Sequence, residues 1–244
     1  MKKAGLFIGL ILIGSICFAF ELNTLIDTPT AGILQKGEAE ISGKLYKNNG
    51  LILGTRVGLF PRFMFGVNYG AENLVGNKAP DWHDRVEFNA KLRFLDETNQ
   101  LPALAIGYDS QGHGKYNEGD RRYDIKSKGV YLTASKNYFF LGNMGIHGGI
   151  NYSLETEDKD DEPNIFLGFD KTLGDMIVIL GEYDTAWNDN KDTIVRGLGF
   201  LNASFDIHFT ENLVLKISFY DILQNRDDTE GCDRTLTLIY NMTF

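Results

Sequence analysis

The last eleven residues of the chain, Arg234-Thr-Leu-Thr-Leu-Ile-Tyr-Asn-Met-Thr-Phe244, decide the fold class. Large apolar side chains occupy every second position of this stretch: Leu236, Leu238, Tyr240, Met242 and Phe244. Successive side chains of a strand point to opposite faces, so the stretch predicts a ribbon with one apolar and one largely polar face. Such a ribbon either lays its apolar face on a protein core or turns it toward lipid.

The first nineteen residues predict a cleaved secretory signal peptide. Lys2 and Lys3 precede the apolar run 4–16, and Ala19 is a suitable small residue for cleavage. The run is short for a membrane-spanning helix, which needs about 20 apolar residues, and no later run in the sequence is long enough. A lipoprotein acylated at Cys17 is the weaker alternative, because Ile16 fits poorly before such a cysteine. We therefore expect export to the bacterial outer membrane and embedding through strands.

The composition excludes several classes of function. Removal of the signal peptide takes two lysines from the 24 Lys and Arg, so 22 basic residues face 33 acidic ones, a net charge of −11. Nucleic-acid binding needs clustered basic residues, so an acidic exported chain argues against it. Only Cys232 follows the signal peptide, which excludes an intramolecular disulfide. The acidic run 155–162 lacks EF-hand spacing and predicts a solvated loop, so neither a metal nor a cofactor is expected.

Twelve candidate strands follow one another through residues 38–244, and the gaps between them alternate in length. The long gaps are 71–84, 110–127, 155–163 and 222–233. Long loops at one rim and short turns at the other are typical of outer-membrane barrels, which have an even strand number and periplasmic termini. The prediction is an all-β, antiparallel up-and-down transmembrane β-barrel of about twelve strands. The strands are expected near 38–46, 51–59, 63–70, 85–94, 101–109, 128–137, 144–154, 164–173, 176–187, 194–208, 213–221 and 234–244.

The polar parity of these strands is expected to line the barrel interior. A soluble lipocalin-like barrel is the alternative, and it would need the apolar face inside. Twelve strands lie between side-chain-filled barrels of about 8 strands and open porins of 16–18, so an open pore and an occluded lumen both agree with the sequence. Mixed signs at neighbouring heights predict cross-strand ion pairs. The predicted lumen-lining polar residues are Glu40, Lys44, Arg56, Glu87, Lys91, Arg93, Glu182, Arg196, Asp206, His208 and Lys216.

Four histidines are the main candidates for chemistry. His147 and His208 have lumenal parity and are predicted to be satisfied polar residues, while His83 and His113 fall in long loops. The loop histidines could form an acid–base site with nearby aspartates, but the sequence contains no His-x-Ser pair of the outer-membrane phospholipase type. A nucleophile also requires geometry that spacing cannot supply. No catalytic residue is assigned, and the expectation is a non-enzymatic protein.

Two parts of the sequence resemble known families. The closing strand resembles the C-terminal strand of bacterial outer-membrane barrels, where a terminal Phe and alternating apolar residues serve the assembly machinery. The element Asp27-Thr28-Pro29-Thr30-Ala31, just before a Gly and the first amphipathic strand, resembles the start of YjbH-type, exopolysaccharide-associated barrels. The stretches 66–74 and 101–107 are similar in character, so the resemblance covers mainly the N-terminal half. The better-known members of that family are longer, and the resemblance implies no catalytic residues.

The segment 20–37 between the signal peptide and the first strand shows no alternation, and Pro29 argues against a strand. It is either a periplasmic lead-in or a segment folded into the lumen.

The functional expectation is a monomeric barrel that serves envelope or exopolysaccharide export, or the passive passage of small solutes. Its expected partners are outer-membrane lipids, the barrel-assembly machinery, and polysaccharide or small solutes. A lipid- or glycan-modifying hydrolase is one alternative. A structural or adhesive protein that acts through its extracellular loops is the other.

Overall fold

The computed structural model describes residues 20–190, 199–226 and 231–244. In these ranges the chain consists of antiparallel strands and one short 3₁₀ turn at Trp187–Asp189. None of the described helical structure is long and apolar enough to cross a membrane. The strands are β1 (Glu38–Tyr46), β2 (Gly50–Phe60), β3 (Phe63–Glu72), β4 (Asp81–Trp82), β5 (Glu87–Leu95), β6 (Ala103–Asp109), β7 (His113–Asn117), β8 (Arg122–Ile125), β9 (Gly129–Phe139), β10 (Asn143–Tyr152), β11 (Asn164–Leu173), β12 (Ile177–Asp184), β13 (Phe200–His208), β14 (Leu213–Tyr220) and β15 (Asp233–Thr243).

Twelve of the described strands form a closed barrel. Strand β1 pairs with β2 on one side and with the last strand, β15, on the other, and the remaining neighbours follow chain order. The β7–β8 hairpin stands outside the ring, so β6 pairs directly with β9, and the two-residue β4 only extends the end of β3. The predicted all-β antiparallel barrel of about twelve strands is confirmed. A closed ring has no unpaired edge, which is the condition for strands to span a membrane.

The two faces of the barrel differ in polarity. On β9, Thr133 and Ser135 point inward and are nearly inaccessible, whereas Val130 and Leu132 are 46% and 41% exposed. The neighbouring outward position on β6, Ile106, is 45% exposed, and it pairs across the ladder with Leu132. Exposed apolar side chains therefore cover the outside, and buried polar side chains fill the inside. This distribution is typical of a barrel in lipid and opposite to that of a soluble barrel.

The predicted strand positions agree with the observed ones, and the differences concern the long loops. The gaps 71–84 and 110–127 were expected to lack strands, but they contain β4, β7 and β8. These pieces pair locally above the barrel, where the alternation of inward and outward residues no longer applies. The predicted strand 176–187 ends at Asp184, and part of the predicted strand 194–208 lies outside the described residues, as do residues 1–19.

A charge on the outer face provides a test of the lipid assignment. The variant Ile106→Arg should lose about 2–4 kcal/mol of folding free energy in phospholipid vesicles, the cost of Arg at the bilayer midplane. Urea titration of the folded fraction in vesicles measures this loss. Val75→Arg is the matched control, because Val75 is 74% exposed in a loop and should tolerate Arg. Equal effects of the two substitutions would contradict a lipid-facing Ile106.

Candidate functional site

Residues 20–37, called the lumenal segment below, cross the barrel interior without joining a barrel strand. Leu25, Ala31, Ile33 and Leu34 in this segment are fully buried. The segment makes one internal β-bridge, between Thr24 and Pro29. Most of its peptide groups therefore lack strand partners and need hydrogen bonds from other parts of the protein, since an unpaired buried peptide group is costly.

Glu182 on β12 accepts hydrogen bonds from residues 26–28 of the lumenal segment. Its carboxylate accepts from the backbone N–H groups of Ile26 (3.1 Å), Asp27 (3.0 Å) and Thr28 (3.0 Å), and from the Thr28 hydroxyl at 2.7 Å. Asn202 on the adjacent strand donates a further hydrogen bond at 2.8 Å. Hydrogen bonds to an ionised acceptor are about twice as strong as neutral ones. One carboxylate thus satisfies three consecutive N–H groups of the segment.

Two lysines bind the carbonyl groups of the same segment. Lys91 on β5 donates to the carbonyl oxygens of Thr30 (2.9 Å) and Gly32 (3.1 Å), and also to that of Asn23. Lys216 on β14 donates to the carbonyl oxygen of Leu25. Both lysine side chains lie within the barrel, where these contacts replace water. An anionic lumen side chain therefore accepts from N–H groups of the segment, and cationic lumen side chains donate to its carbonyl groups.

Strand β9 supplies two hydroxyl groups to the segment. Thr133 Oγ1 donates to the carbonyl oxygen of Pro29 at 3.1 Å, and Ser135 Oγ accepts from the backbone N–H of Ala31 at 2.7 Å. His147 Nδ1 lies 2.7 Å from Ser135 Oγ, and its Nε2 lies 2.8 Å from Asp170 Oδ1. In serine hydrolases Nε2, not Nδ1, faces the serine. This row of three side chains therefore fixes Ser135 where it binds the segment.

Two inward-facing glycines give the lumenal segment the space to approach the barrel wall. A Cβ atom on Gly58 would lie 1.9 Å from the Gln35 carbonyl oxygen, and one on Gly168 would lie 2.3 Å from Leu25 Cδ1. Neither glycine is among the predicted lumen-lining residues, although both stand at strand positions of the polar parity.

The predicted lumen-lining residues differ in what they contact. Glu40 accepts from Asn23 of the lumenal segment at 2.9 Å and pairs with Arg56 at 2.7 Å, and Arg93 pairs with Glu21. Asp206 lies 3.4 Å from Lys216. Lys44 donates to Tyr220 at 2.9 Å, whereas Glu87 lies at the long-loop rim, where it accepts from Tyr123 at 2.8 Å. His208 is half-buried and lines the cavity described below, and Arg196 lies outside the described residues.

The two motifs singled out in the sequence occupy opposite faces of the barrel wall. Thr28, Thr30 and Ala31 of the element Asp27–Ala31 are fully buried in the lumen, and Asp27 lies 3.1 Å from Lys128. The apolar residues of the closing strand point outward: Leu236, Leu238 and Tyr240 are about half exposed, Phe244 is more exposed still and Met242 is partly buried.

The long loops 110–127 and 155–163 pack on each other. The expectation of a solvated acidic run at 155–162 was wrong for three of its acids, because Glu155, Asp158 and Asp160 are buried. Asp158 pairs with Arg122 and Lys126 at 2.7 Å each, and both cations come from the loop 110–127. The sequence shows a run of like charge but cannot show that the opposite charge arrives from another loop.

His113 joins the β7–β8 hairpin to the barrel. Its ring stacks on Tyr220 with a centroid distance of 3.8 Å, and its Nε2 lies 3.4 Å from the Asp233 carboxylate. Burial lowers the pKa of His113 to about 4, although the hydrogen bond with Asp233 opposes this shift. His83 instead lies 3.0 Å from the Tyr46 hydroxyl. The structure therefore places the two loop histidines in different surroundings.

A polar cavity of about 660 Å³ runs beside the lumenal segment. It extends from Asn143 and Asn241, near the short turns, to Gln111 and Gly112 in the loop 110–127. Charged side chains of both signs line it, among them Glu40, Arg56, Asp109, Asp206 and Lys216. The lumen is therefore narrowed by the segment but is not completely filled.

The fold is that of a closed antiparallel β-barrel like those of outer-membrane porins. A solved structure described as the KdgM porin matches 85% of this chain and 99% of its own, with 9% identity and a TM-score of 0.51, which shows a shared fold. The Salmonella typhi OmpF complex with daunomycin matches 79% of this chain and 61% of its own (10% identity, TM-score 0.31). The outer-membrane channel DcaP of Acinetobacter baumannii matches 85% and 95% (8% identity, TM-score 0.30). At TM-scores this low, the last two similarities support no conclusion about this chain.

A match to a sequence family narrows the classification further. The YjbH family, described as "Exopolysaccharide biosynthesis protein YbjH", matches residues 19–163, more than half of the 244-residue chain. The chain belongs to this family, which confirms the resemblance seen in its N-terminal half. No curated protein sequence matches the chain.

The role of Glu182 can be tested by changing its charge alone. Glu182→Gln places an amide NH₂ group among N–H donors, so at least one donor of the turn 26–28 loses its acceptor. Leaving a buried donor unpaired costs about 1–3 kcal/mol. Amide exchange at residues 26–28 should therefore become about tenfold faster or more, as measured by hydrogen exchange and mass spectrometry. Glu211→Gln, in an exposed turn, is the control and should leave exchange unchanged.

The docking of the β7–β8 hairpin should depend on pH through His113. Its pKa is about 4 in the folded protein and 6.5 for an ordinary histidine, so the undocked state binds more protons between these values. The stability that neutral His113 contributes is present above about pH 6.5 and is lost as the pH falls toward 4. The protection of the amides of residues 113–125 against hydrogen exchange, relative to the intrinsic exchange rate at each pH, should fall over this range, and His113→Gln should lack that portion of the pH dependence. Identical pH profiles for the two proteins would contradict the assignment.

Proposed function

We propose that this protein is a non-enzymatic outer-membrane barrel that passes small polar solutes or envelope saccharides. In this proposal the lumenal segment controls the width of the open path through the barrel. In this proposal the short-turn rim faces the periplasm and the long loops face outward. The chain acts as a monomer among outer-membrane lipids after insertion by the barrel-assembly machinery.

One observation carries the proposal: a continuous charged cavity runs along a segment that is bound by side chains and is not paired into the barrel wall. Cavities of roughly 300–1,000 Å³ hold small molecules, and the cavity of about 660 Å³ falls within this range. A polymer strand needs a wider path. Export of polysaccharide therefore requires the segment to move, whereas passage of small solutes requires only the existing cavity.

The contacts of the segment make such movement feasible without unfolding the barrel. The barrel ladder is complete without residues 20–37, because β1 pairs with β15 and β2 and closes the ring. The hydrogen bonds that the segment makes with Glu182, Lys91 and Ser135 can be exchanged for hydrogen bonds to water if water enters the lumen. The family description adds support for a saccharide as the transported material.

Planar-bilayer recording tests the proposal. The wild-type protein should give small discrete conductance steps, and the double variant Glu182→Gln/Lys91→Met should give larger steps because the segment is less tightly bound. Glu211→Gln should behave like the wild type. Silent bilayers with both the wild type and the double variant would reject passage through this lumen, and equal step sizes would reject control by the segment.

The hydrolase alternative draws on the hydrogen-bonded row Ser135–His147–Asp170 beside the cavity, although His147 presents Nδ1 to Ser135 where serine hydrolases present Nε2. The non-enzymatic proposal expects purified wild type and Ser135→Ala to release nitrophenol from nitrophenyl esters at the same background rate. Hydrolysis that disappears in Ser135→Ala, while the barrel stays folded by its heat-dependent gel mobility, would favour the hydrolase instead.

A further inference from the structure

A second cavity lies at the long-loop rim, apart from the lumen. This rim pocket has a volume of about 490 Å³ and is formed by the end of β3, by residues 81–85 and by the β7–β8 hairpin. Neither the family description nor the proposed passage through the lumen assigns it a role. Three of its properties point to a ligand.

The first property is an exposed aromatic surface. Trp82 is 59% exposed and stacks on Tyr69, with ring centroids 6.1 Å apart and an interplanar angle of 9°. Tyr116, which also lines the pocket, is covered by the Arg85 guanidinium at 5.0 Å. A flat aromatic face held by a second ring offers an apolar platform for a ring-shaped ligand, and its quadrupole attracts a cation.

The second property is an excess of negative charge. Five carboxylates line the pocket against two lining cations, Arg85 and Lys115, and Lys47 from outside the lining pairs with Asp124 at 2.6 Å. Arg85 is paired with Glu87, which lies outside the lining, at 2.6 Å. Lys115 lies 3.1 Å from Asp81 and 3.7 Å from Glu72. The carboxylates are Glu72, Asp81, Asp84, Glu118 and Asp124.

The third property is an incompletely satisfied buried carboxylate. Glu72 is only 4% exposed, and its Oε1 has no hydrogen-bond partner in the part of the chain that the structure describes. A buried acceptor without a donor is costly, so a donor from a ligand would stabilise this site. The carboxyl groups of Glu118 and Asp84 also contact each other, and this contact raises the pKa of Glu118. Two neighbouring acids of this kind favour an added positive charge.

We propose that the rim pocket binds an amine-bearing saccharide, with a sugar ring against Trp82 and an ammonium group directed toward the carboxylates that include Glu72. The aromatic platform accounts for the ring, and the unpaired oxygen together with the charge excess accounts for the ammonium. As the substrate class of the barrel, this inference rests on the proposed saccharide function, but the binding itself can be measured without any transport.

Isothermal titration calorimetry of the full-length barrel in detergent, with a glucosamine tetramer as the probe, tests the proposal. Glu72→Gln and Trp82→Ala should each weaken binding by about tenfold or more, the effect of losing a charge-assisted hydrogen bond or an aromatic contact. Trp82→Phe should retain most of the affinity, and Val75→Ala, in the same loop, should match the wild type. Heat-dependent gel mobility of each variant establishes that the barrel is folded.

Two further probes distinguish the ligand classes. The N-acetylglucosamine tetramer, which lacks the ammonium groups, should bind at least about tenfold more weakly, because its neutral amide N–H can donate a hydrogen bond to a carboxylate but cannot form an ion pair with it. Spermidine, which has amines but no sugar ring, should also bind more weakly, and EDTA should have no effect. Equal binding of spermidine, equal binding of the acetylated tetramer, or no heat of binding for the glucosamine tetramer would each overturn the proposal. None of these results depends on conductance, so the proposed passage function stands or fails separately.

Discussion

The structure depends on one constraint: peptide groups placed inside a closed barrel must find hydrogen-bond partners there. The lumenal segment brings a stretch of non-strand backbone into an interior that the ring of strands does not pair. Glu182 satisfies its N–H groups and Lys91 satisfies its carbonyl groups. The charged lumen residues thus bind the segment. The segment in turn satisfies these charges, because a buried charge is tolerated only where it is paired or hydrogen-bonded.

This constraint also explains the mixed charge of the lumen. The cross-strand pairs that the sequence suggested do occur, as at Glu40 and Arg56, which face each other in register. Other charged residues act on the segment rather than on a neighbouring strand. The interior glycines follow from the same arrangement, since Gly58 and Gly168 leave space where the segment touches the wall. The charged residues and the glycines at inward positions therefore both accommodate the lumenal segment.

The two ends of the barrel are organised differently. At the long-loop rim, buried ion pairs such as Arg122–Asp158 join separate loops, and His113 packs on Tyr220. The cavity beside the segment reaches the short turns at its other end. The cavity also reaches Gln111 and Gly112 in the loop 110–127, so the joined loops border it without filling it. The aromatic and acidic rim pocket lies apart from this cavity, so a ligand reaches it without entering the lumen.

The fold class can be predicted from the sequence, because a two-residue period and the alternation of gap lengths follow directly from strand and barrel geometry. The element Asp27–Ala31 is identified by resemblance, and Glu182, Lys91 and Lys216 are selected by parity alone. The contacts of these residues are visible only in the folded barrel. Hydrogen bonds such as that from Thr28 to Glu182 join residues 154 positions apart, and the opposite charge for the run 155–162 comes from another loop. Periodicity records which face a side chain occupies, but not which distant group stands across the lumen from it.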